Sequence, residues 1–401
     1  MKFAIFGTDD LTEKLAQDIA SSQDHHLVWW LPTTGFIGQD PPWIGPQTVV
    51  ARKEDPLASL SVADVDAVVI SRQQDAAAML EIIRQLAACS EILLLSHPVD
   101  LSVLASFELE RVQQDSVARM IPLRPNRWHP GAVYFARYVC GDPEATPEVP
   151  GSVERIEMER RINDTDLETV QVAFARDIDL VQSFTGKLLE VSGMAAGEKC
   201  LPLNVQLSGE SGVLARWSAV RTEDATSESS PFGAELKVFG SRTASLLMSE
   251  RSWQVETPEG MLAFEPTNLA DACAGQVELD RKSRAVRGDW PEVTHSLEVT
   301  EAMTKSLQRG KRVQLNLEGR GESTAFKGTM VSLGCALLMG GVVLLVVSAI
   351  ILKLAQANGL TRFATMFEKV PAALAVVLVL FLFLQCLRFL IPASSKPDSG
   401  E

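Results

Sequence analysis

Three short runs in the first hundred residues, Phe3-Ala4-Ile5-Phe6, Ala67-Val68-Val69-Ile70 and Ile92-Leu93-Leu94-Leu95, are apolar at every position. A strand with one face in water alternates polar and apolar side chains, so a run that is apolar throughout has to be covered on both faces. Leu11, Leu15 and Ile19 repeat at i, i+4 and i+8, which predicts a helix over 11–19, and a second helix is expected over 75–88. A further strand is expected at 26–31. Buried strands separated by helices give a parallel sheet with helices on both sides, the doubly wound α/β, Rossmann-like architecture of nucleotide-binding folds.

Beyond Pro130 the pattern changes. Residues 151–162 alternate like an exposed strand, 167–184 carry a helical stripe, and candidate strands follow at 189–195, 203–207, 213–221 and 233–239. Strands in succession predict an α+β domain with a mostly antiparallel open sheet. The polar stretch 223–230 reads as a surface loop. A closing helix is expected over 290–309, ended by Gly310. The predicted organisation is a first domain over 1–124, a second over 125–318 and a linker over 319–327.

The remaining residues are of a different kind. Residues 328–352 form a run of 25 without an ionisable acid or base. At about 1.5 Å per helical residue this is long enough to cross a hydrocarbon core about 30 Å thick. A second uncharged run over 370–387 continues past Arg388 to Ile391, and the Arg388 head can snorkel to the interface. Two transmembrane helices, 328–352 and 370–391, are therefore expected. Arg309, Lys311, Arg312, Arg320 and Lys327 precede the first, Lys353, Arg362 and Lys369 connect them, and Arg388 and Lys396 complete the outer set. The positive-inside rule then puts both termini in the cytoplasm. The acidic opening after Phe6 does not resemble an export signal, which agrees with that orientation. Gly328, Ser332, Ala336 and Gly340 form a small-residue ridge that suits packing of the two spans or a homodimer.

The formal net charge is −14. A phosphate-backbone binder needs clustered positive charge, so a nucleic-acid partner is not expected. Six cysteines show no Cys-x-x-Cys spacing, which suits reduced thiols better than a disulfide frame or zinc site. His25 and His26 are neighbours on a strand and point to opposite faces, so they cannot share an ion. No metal site is expected.

Several segments, taken in order, resemble the Gfo/Idh/MocA oxidoreductases, the family of glucose-fructose oxidoreductase and inositol dehydrogenase. Residues 61–70 are similar to its fourth strand with an acidic approach. Arg127-Trp128-His129-Pro130 is similar to the segment between its domains. Ile178-Asp179-Leu180 with Gly186, and Thr300-Glu301-Ala302 through Gly310 and Val313, resemble its later helices and last strand. The resemblance covers about residues 1–317. It implies an NAD(P)-binding Rossmann domain, a sheet domain for a sugar-like or cyclitol substrate, hydride transfer between them, and self-association through the open sheet.

At three chemical positions the chain departs from that family. The glycine-rich phosphate loop falls on Gly7-Thr8-Asp9-Asp10-Leu11-Thr12, which keeps only the first glycine and puts a carboxylate where pyrophosphate would sit. Either Asp9 or Asp10 is well suited to cap the following helix. The ribose anchor falls on Trp29-Trp30-Leu31-Pro32, with no acid or base. Trp30 could stack on adenine or lie in the core. The family's lysine falls on His97, and its aspartate and histidine fall on Val172 and Arg176. Arg176 cannot take a proton because it stays protonated. His97 could, or it could simply fill the strand end before Pro98. The cofactor-site candidates are thus Gly7, Thr8, Asp9 and Trp30, and the catalytic candidates His97 and Arg176. The expected protein is a membrane-anchored, non-catalytic binding or assembly protein. The alternative is an active NAD(P)-dependent oxidoreductase with a variant site around His97.

Overall fold

The computed structural model describes residues 1–315 apart from 33–43, 46–47, 51–64, 73–75, 117, 141–152, 164–165, 196–200, 223–232, 241–242, 250–251 and 283–289, together with 347, 350 and 353. The expected spans, the 319–327 linker and the 223–230 loop lie outside the described residues, save 347 and 350 in the first span. Among the described residues no helix is long and apolar enough to cross a membrane. The chain divides into two compact units, Met1–Asn316 and Leu317–Glu401.

The first unit holds two sheets. Strands β1 (Lys2–Phe6), β2 (His26–Leu31), β3 (Val49–Val50), β4 (Ala67–Ile70), β5 (Ile92–Ser96) and β6 (Arg119–Leu123) form a six-stranded sheet in the order 3-2-1-4-5-6. Each neighbouring pair is parallel. This is the doubly wound dinucleotide-binding order, with its switch point between β1 and β4. Helices α1 (Asp10–Ser21), α2 (Ala76–Cys89) and α3 (Val103–Asp115) connect the strands. One face packs Ala4, Phe6, Trp29 and Val68 with Met79, Ile83 and Leu109, and the other packs Phe3, Ile5, Trp30 and Leu94 with Leu11, Leu15 and Ile19. Both faces are covered, as continuous apolar strands require.

Two short helices, α4 (Pro125–Trp128) and α5 (Pro130–Cys140), lead to the second sheet. Its nine strands are β7 (Val153–Ile162), β8 (Leu188–Ala195), β9 (Leu203–Gly209), β10 (Leu214–Arg221), β11 (Ala234–Gly240), β12 (Ala244–Met248), β13 (Trp253–Thr257), β14 (Gly260–Phe264) and β15 (Val313–Gln314), in the order 14-13-12-11-7-10-9-8-15. The pairing is antiparallel except at the centre, where β7 and β10 run parallel. Helix α6 (Leu167–Thr185) and α8 (Trp290–Arg309) cover one face, burying Phe174, Ile178 and Met303 against Ile156, Trp217 and Leu236. Helix α7 (Leu269–Lys282) returns to the first sheet, where Leu269, Ala270, Cys273 and Val277 join its core. The start of α8 follows it there with Trp290 and Val293. The second half of the chain thus completes the first sheet's cover.

Candidate functional site

In an open α/β sheet the ligand crevice lies beyond the carboxyl ends of the strands at the switch point. Here those ends are Phe6 and Ile70. The chain leaves β1 through Gly7, whose φ of 82° favours glycine. Its N–H donates to the Leu31 carbonyl at 2.7 Å. Thr8 follows, and then Asp9 caps α1. The Asp9 carboxylate accepts the Thr12 N–H at 2.8 Å, while its own N–H donates to Thr12 Oγ1 at 2.9 Å. Of the two capping candidates, Asp9 is the cap, and Asp10 is the first helical residue. The second Asp9 oxygen accepts the backbone N–H of Arg72, just past β4, at 2.7 Å. One carboxylate therefore bridges both sides of the switch point.

Asp10 extends the bridge to the second sheet's helices. Its two oxygens accept from Arg176 Nη1 and Nη2 at 2.5 and 2.9 Å, a bidentate pair. Packing beneath Asp10 works to raise its carboxyl, but the hydrogen bonds and charge of Arg176 outweigh it and hold the group below the usual carboxylate range. Arg72 makes a parallel link, donating to Glu168 at the start of α6 at 2.5 Å. The side chains of Arg72 and Arg176 are thus both met by the chain's own carboxylates.

His97 follows β5, and its carbonyl accepts Arg176 Nε at 2.9 Å. The structure therefore brings His97, Arg176, Asp9 and Asp10 into one chain of contacts. The imidazole is 2% exposed. Its Nε2 lies 3.4 Å from both the Ala175 carbonyl and Ser296 Oγ, and Nδ1 has no partner among the described residues. Burial pushes its pKa down to about 4, with the charges of Arg176 and Arg124 acting the same way against Asp179. The ring is held neutral and buried beneath α6 and α8, where it lines a small cavity with Ser96, Val99, Trp290 and Leu297. Val172 lies on the buried side of α6.

These residues do not fit a dinucleotide. Asp9 puts negative charge at the helix N-terminus that would otherwise receive pyrophosphate. Trp30, considered as an adenine platform, is 1% exposed, packed in the core with Nε1 donating to the Gly7 carbonyl at 3.4 Å. The turn after β2 beyond Pro32 lies outside the described residues.

Behind the cleft the structure adds a cluster that the sequence reading missed. Arg124 and Arg127, at the step between the two sheets, converge on Asp179 of α6 and Glu292 of α8. Arg124 Nη1 reaches Asp179 at 3.3 Å and Glu292 at 2.9 Å, and Arg127 Nε donates to the Asp179 carbonyl at 2.9 Å. Their separations of 52 to 168 residues leave no local pattern to read. Among the described residues no group of three His, Cys, Asp or Glu side chains could hold a metal ion.

No family model matches the sequence, and no curated protein matches it. Solved structures do match the fold. A myo-inositol 2-dehydrogenase from Lactobacillus plantarum aligns with a TM-score of 0.59 at 16% identity, covering 79% of this chain and 99% of that chain. A myo-inositol dehydrogenase from Corynebacterium glutamicum aligns at 0.56 and 17%, with coverage of 79% and 99%. An oxidoreductase from Agrobacterium radiobacter in complex with NAD+, L-tartaric acid and magnesium aligns at 0.56 and 13%, with coverage of 78% and 98%. The chain therefore has the fold of the inositol-dehydrogenase type of oxidoreductase, a Rossmann-like domain joined to a domain with a mixed sheet.

Proposed function

We propose that this chain is a member of the Gfo/Idh/MocA group in which the cofactor cleft has become a structural joint, and that it works as a membrane-anchored binding or assembly protein. The observation that carries this reading is the Asp9 and Asp10 pair. Their carboxylates occupy the switch point and bind Arg72 N–H and the Arg176 guanidinium. A pyrophosphate entering there would meet negative charge and would have to displace bonds that hold the two sheets together. Thermal unfolding of the purified full-length chain with millimolar NAD or NADP tests it. No shift is expected, whereas a ligand at 100 times its Kd would add about 2.7 kcal/mol. A saturable shift with either nucleotide sinks the proposal.

The solved neighbours weigh toward the second reading, an active oxidoreductase on a sugar- or cyclitol-like substrate, since they are oxidoreductases by name and one was crystallised with NAD+. Nucleotide reduction that disappears in His97→Ala while the chain stays folded would support it.

The anchor rests on the uncharged runs 328–352 and 370–387, the second continuing past Arg388 to Ile391, and on the basic residues around them. Resistance to carbonate extraction, and labelling of cysteines placed near each terminus only after the cytoplasmic face is opened, are the expected results. Homodimerisation through the open sheet or through Gly328, Ser332, Ala336 and Gly340 is part of the same proposal. Crosslinking at each surface would separate the two.

A further inference from the structure

A second concavity lies away from the switch point, where α1, α4, the loop after β12, β13 and the entry to α7 meet. It is a cavity of about 70 Å³ whose lining includes Lys14, Asn126, His129, Trp253 and Thr267. His129 is 4% exposed and lies flat on Trp253, ring centroids 3.9 Å apart and planes 14° apart. Its Nδ1 accepts the Gly131 N–H at 3.1 Å, so the neutral ring carries its proton on Nε2. Its Nε2 has no partner of normal hydrogen-bond geometry among the described residues, although the Glu265 backbone lies close enough to act on the ring. Thr267 Oγ1 is also buried and has no partner among the described residues. A buried polar group left unmatched is costly, so the Thr267 hydroxyl at this cavity calls for an explanation.

The chemistry of the lining is one-sided. His129 Nε2–H and Lys14 Nζ only donate, the Thr267 hydroxyl and Asn126 amide can donate, and no carboxylate side chain lines the cavity. This stands out in a chain of net charge −14. Burial, aided by the charge of Lys14, pushes the His129 pKa down to about 4, so the ring keeps this neutral donor form around pH 7. The Trp253 indole and flanking proline and leucine side chains supply apolar walls. The geometry points to a binding site for a small free monocarboxylate, its carboxylate held by His129 Nε2–H, Thr267 and Lys14 and a short apolar tail against Trp253. Space for a few water-sized groups limits the ligand to roughly three or four carbons. The site is independent of the switch point, since neither Asp9, Asp10, His97 nor Arg176 lines it.

Propionate is the probe. Added to the full-length chain at constant ionic strength, it should raise the unfolding temperature saturably, while chloride at the same ionic strength should not. Losing one charged or buried hydrogen bond corresponds to about fivefold in affinity or more. Lys14→Gln and Thr267→Val should each move half-saturation up by at least about that factor. Lys14 is on the solvent side of α1, so its variant keeps the test sound if Thr267→Val folds poorly. A propionate-dependent shift of the His129 imidazole signal in a nitrogen-correlated spectrum is expected alongside. The inference fails if propionate acts no differently from chloride, or if both variants respond as the parent does.

Discussion

Arg176 and Asp10 are joined by two hydrogen bonds, at 2.5 and 2.9 Å, across a sequence separation of 166 residues. Arg176 sits on α6 beneath the second sheet, and Asp10 opens α1 on the first. Arg176 Nε also donates to the His97 carbonyl at the end of β5. One guanidinium therefore spends its donor fork on two elements of the first sheet, which is the geometry that makes arginine unlike lysine.

Asp10 is mostly open to solvent, so the pair's worth is limited by screening to about 1 kcal/mol. Asp10→Asn should lower unfolding free energy by about that amount. Arg176→Gln should cost more, because the bond to the His97 carbonyl goes as well. A double-mutant cycle by urea denaturation should return a coupling near the Asp10→Asn value. Strict additivity would mean the pair contributes nothing.

The Asp9 carboxylate serves two backbone donors, Thr12 N–H and Arg72 N–H. Asp9→Ala leaves both without it and should cost about 2 kcal/mol, a cap plus one further hydrogen bond. Asp9→Asn keeps an acceptor for one of them and should fall between. Equal stability of Asp9→Ala and the parent in chemical denaturation would show that the bridge does not hold the switch point together.

His97 gives stability a pH dependence above the carboxylate range. Its folded pKa, about 4, lies below the ordinary histidine value of 6.5. As pH falls between those values, the unfolded chain binds a proton that the folded chain refuses, so stability drops on acidification and is fully present only above about 6.5. A shift of this size corresponds to on the order of 3 kcal/mol. His129 acts in the same direction over the same window. Asp10 and Glu292, whose carboxyls are held low, lose their contributions only at more acidic pH. Urea unfolding across pH 7 to 4 should show a smaller slope for His97→Asn than for the parent, and identical slopes would rule the assignment out.

What the sequence made legible follows from short-range physics. Ile92 to Leu95 announce a doubly covered strand because no polar residue interrupts them, and α8 ends where Gly310 adopts a φ of 60°. The helix cap at Asp9 was visible as one of two adjacent acids. The edge hairpin of β13 and β14 was not, since Met261 and Leu262 are exposed and β14 lacks an alternating pattern. Nor was the return of α7 to the first sheet, fixed in part by Asp18, whose carboxylate accepts the Leu269 N–H at 2.7 Å from 251 residues away. At the site, the single glycine of the loop after β1 and the histidine after β5 could be read directly. That Asp10 pairs with Arg176 and Arg72 with Glu168 could not, because these residues meet only after both sheets are built.

The ion cluster between the sheets sets the largest expected cost. Asp179 is 2% exposed and faces Arg124, itself 5% exposed, with Arg127 beside it. Removing one partner from a buried charge pair leaves the other uncompensated, at about 3–5 kcal/mol. Glu292 still reaches both arginines after Asp179 is lost, so Asp179→Ala should fall at the lower end, near 3 kcal/mol. Asp179→Asn retains hydrogen-bonding atoms and should cost less. Glu292 is half open to solvent, so Glu292→Gln should cost about 1 kcal/mol or less. Chemical denaturation of the three variants should give the order Asp179→Ala, Asp179→Asn, Glu292→Gln from most to least destabilised, and a Glu292→Gln loss equal to that of Asp179→Ala would show that burial does not govern the cluster.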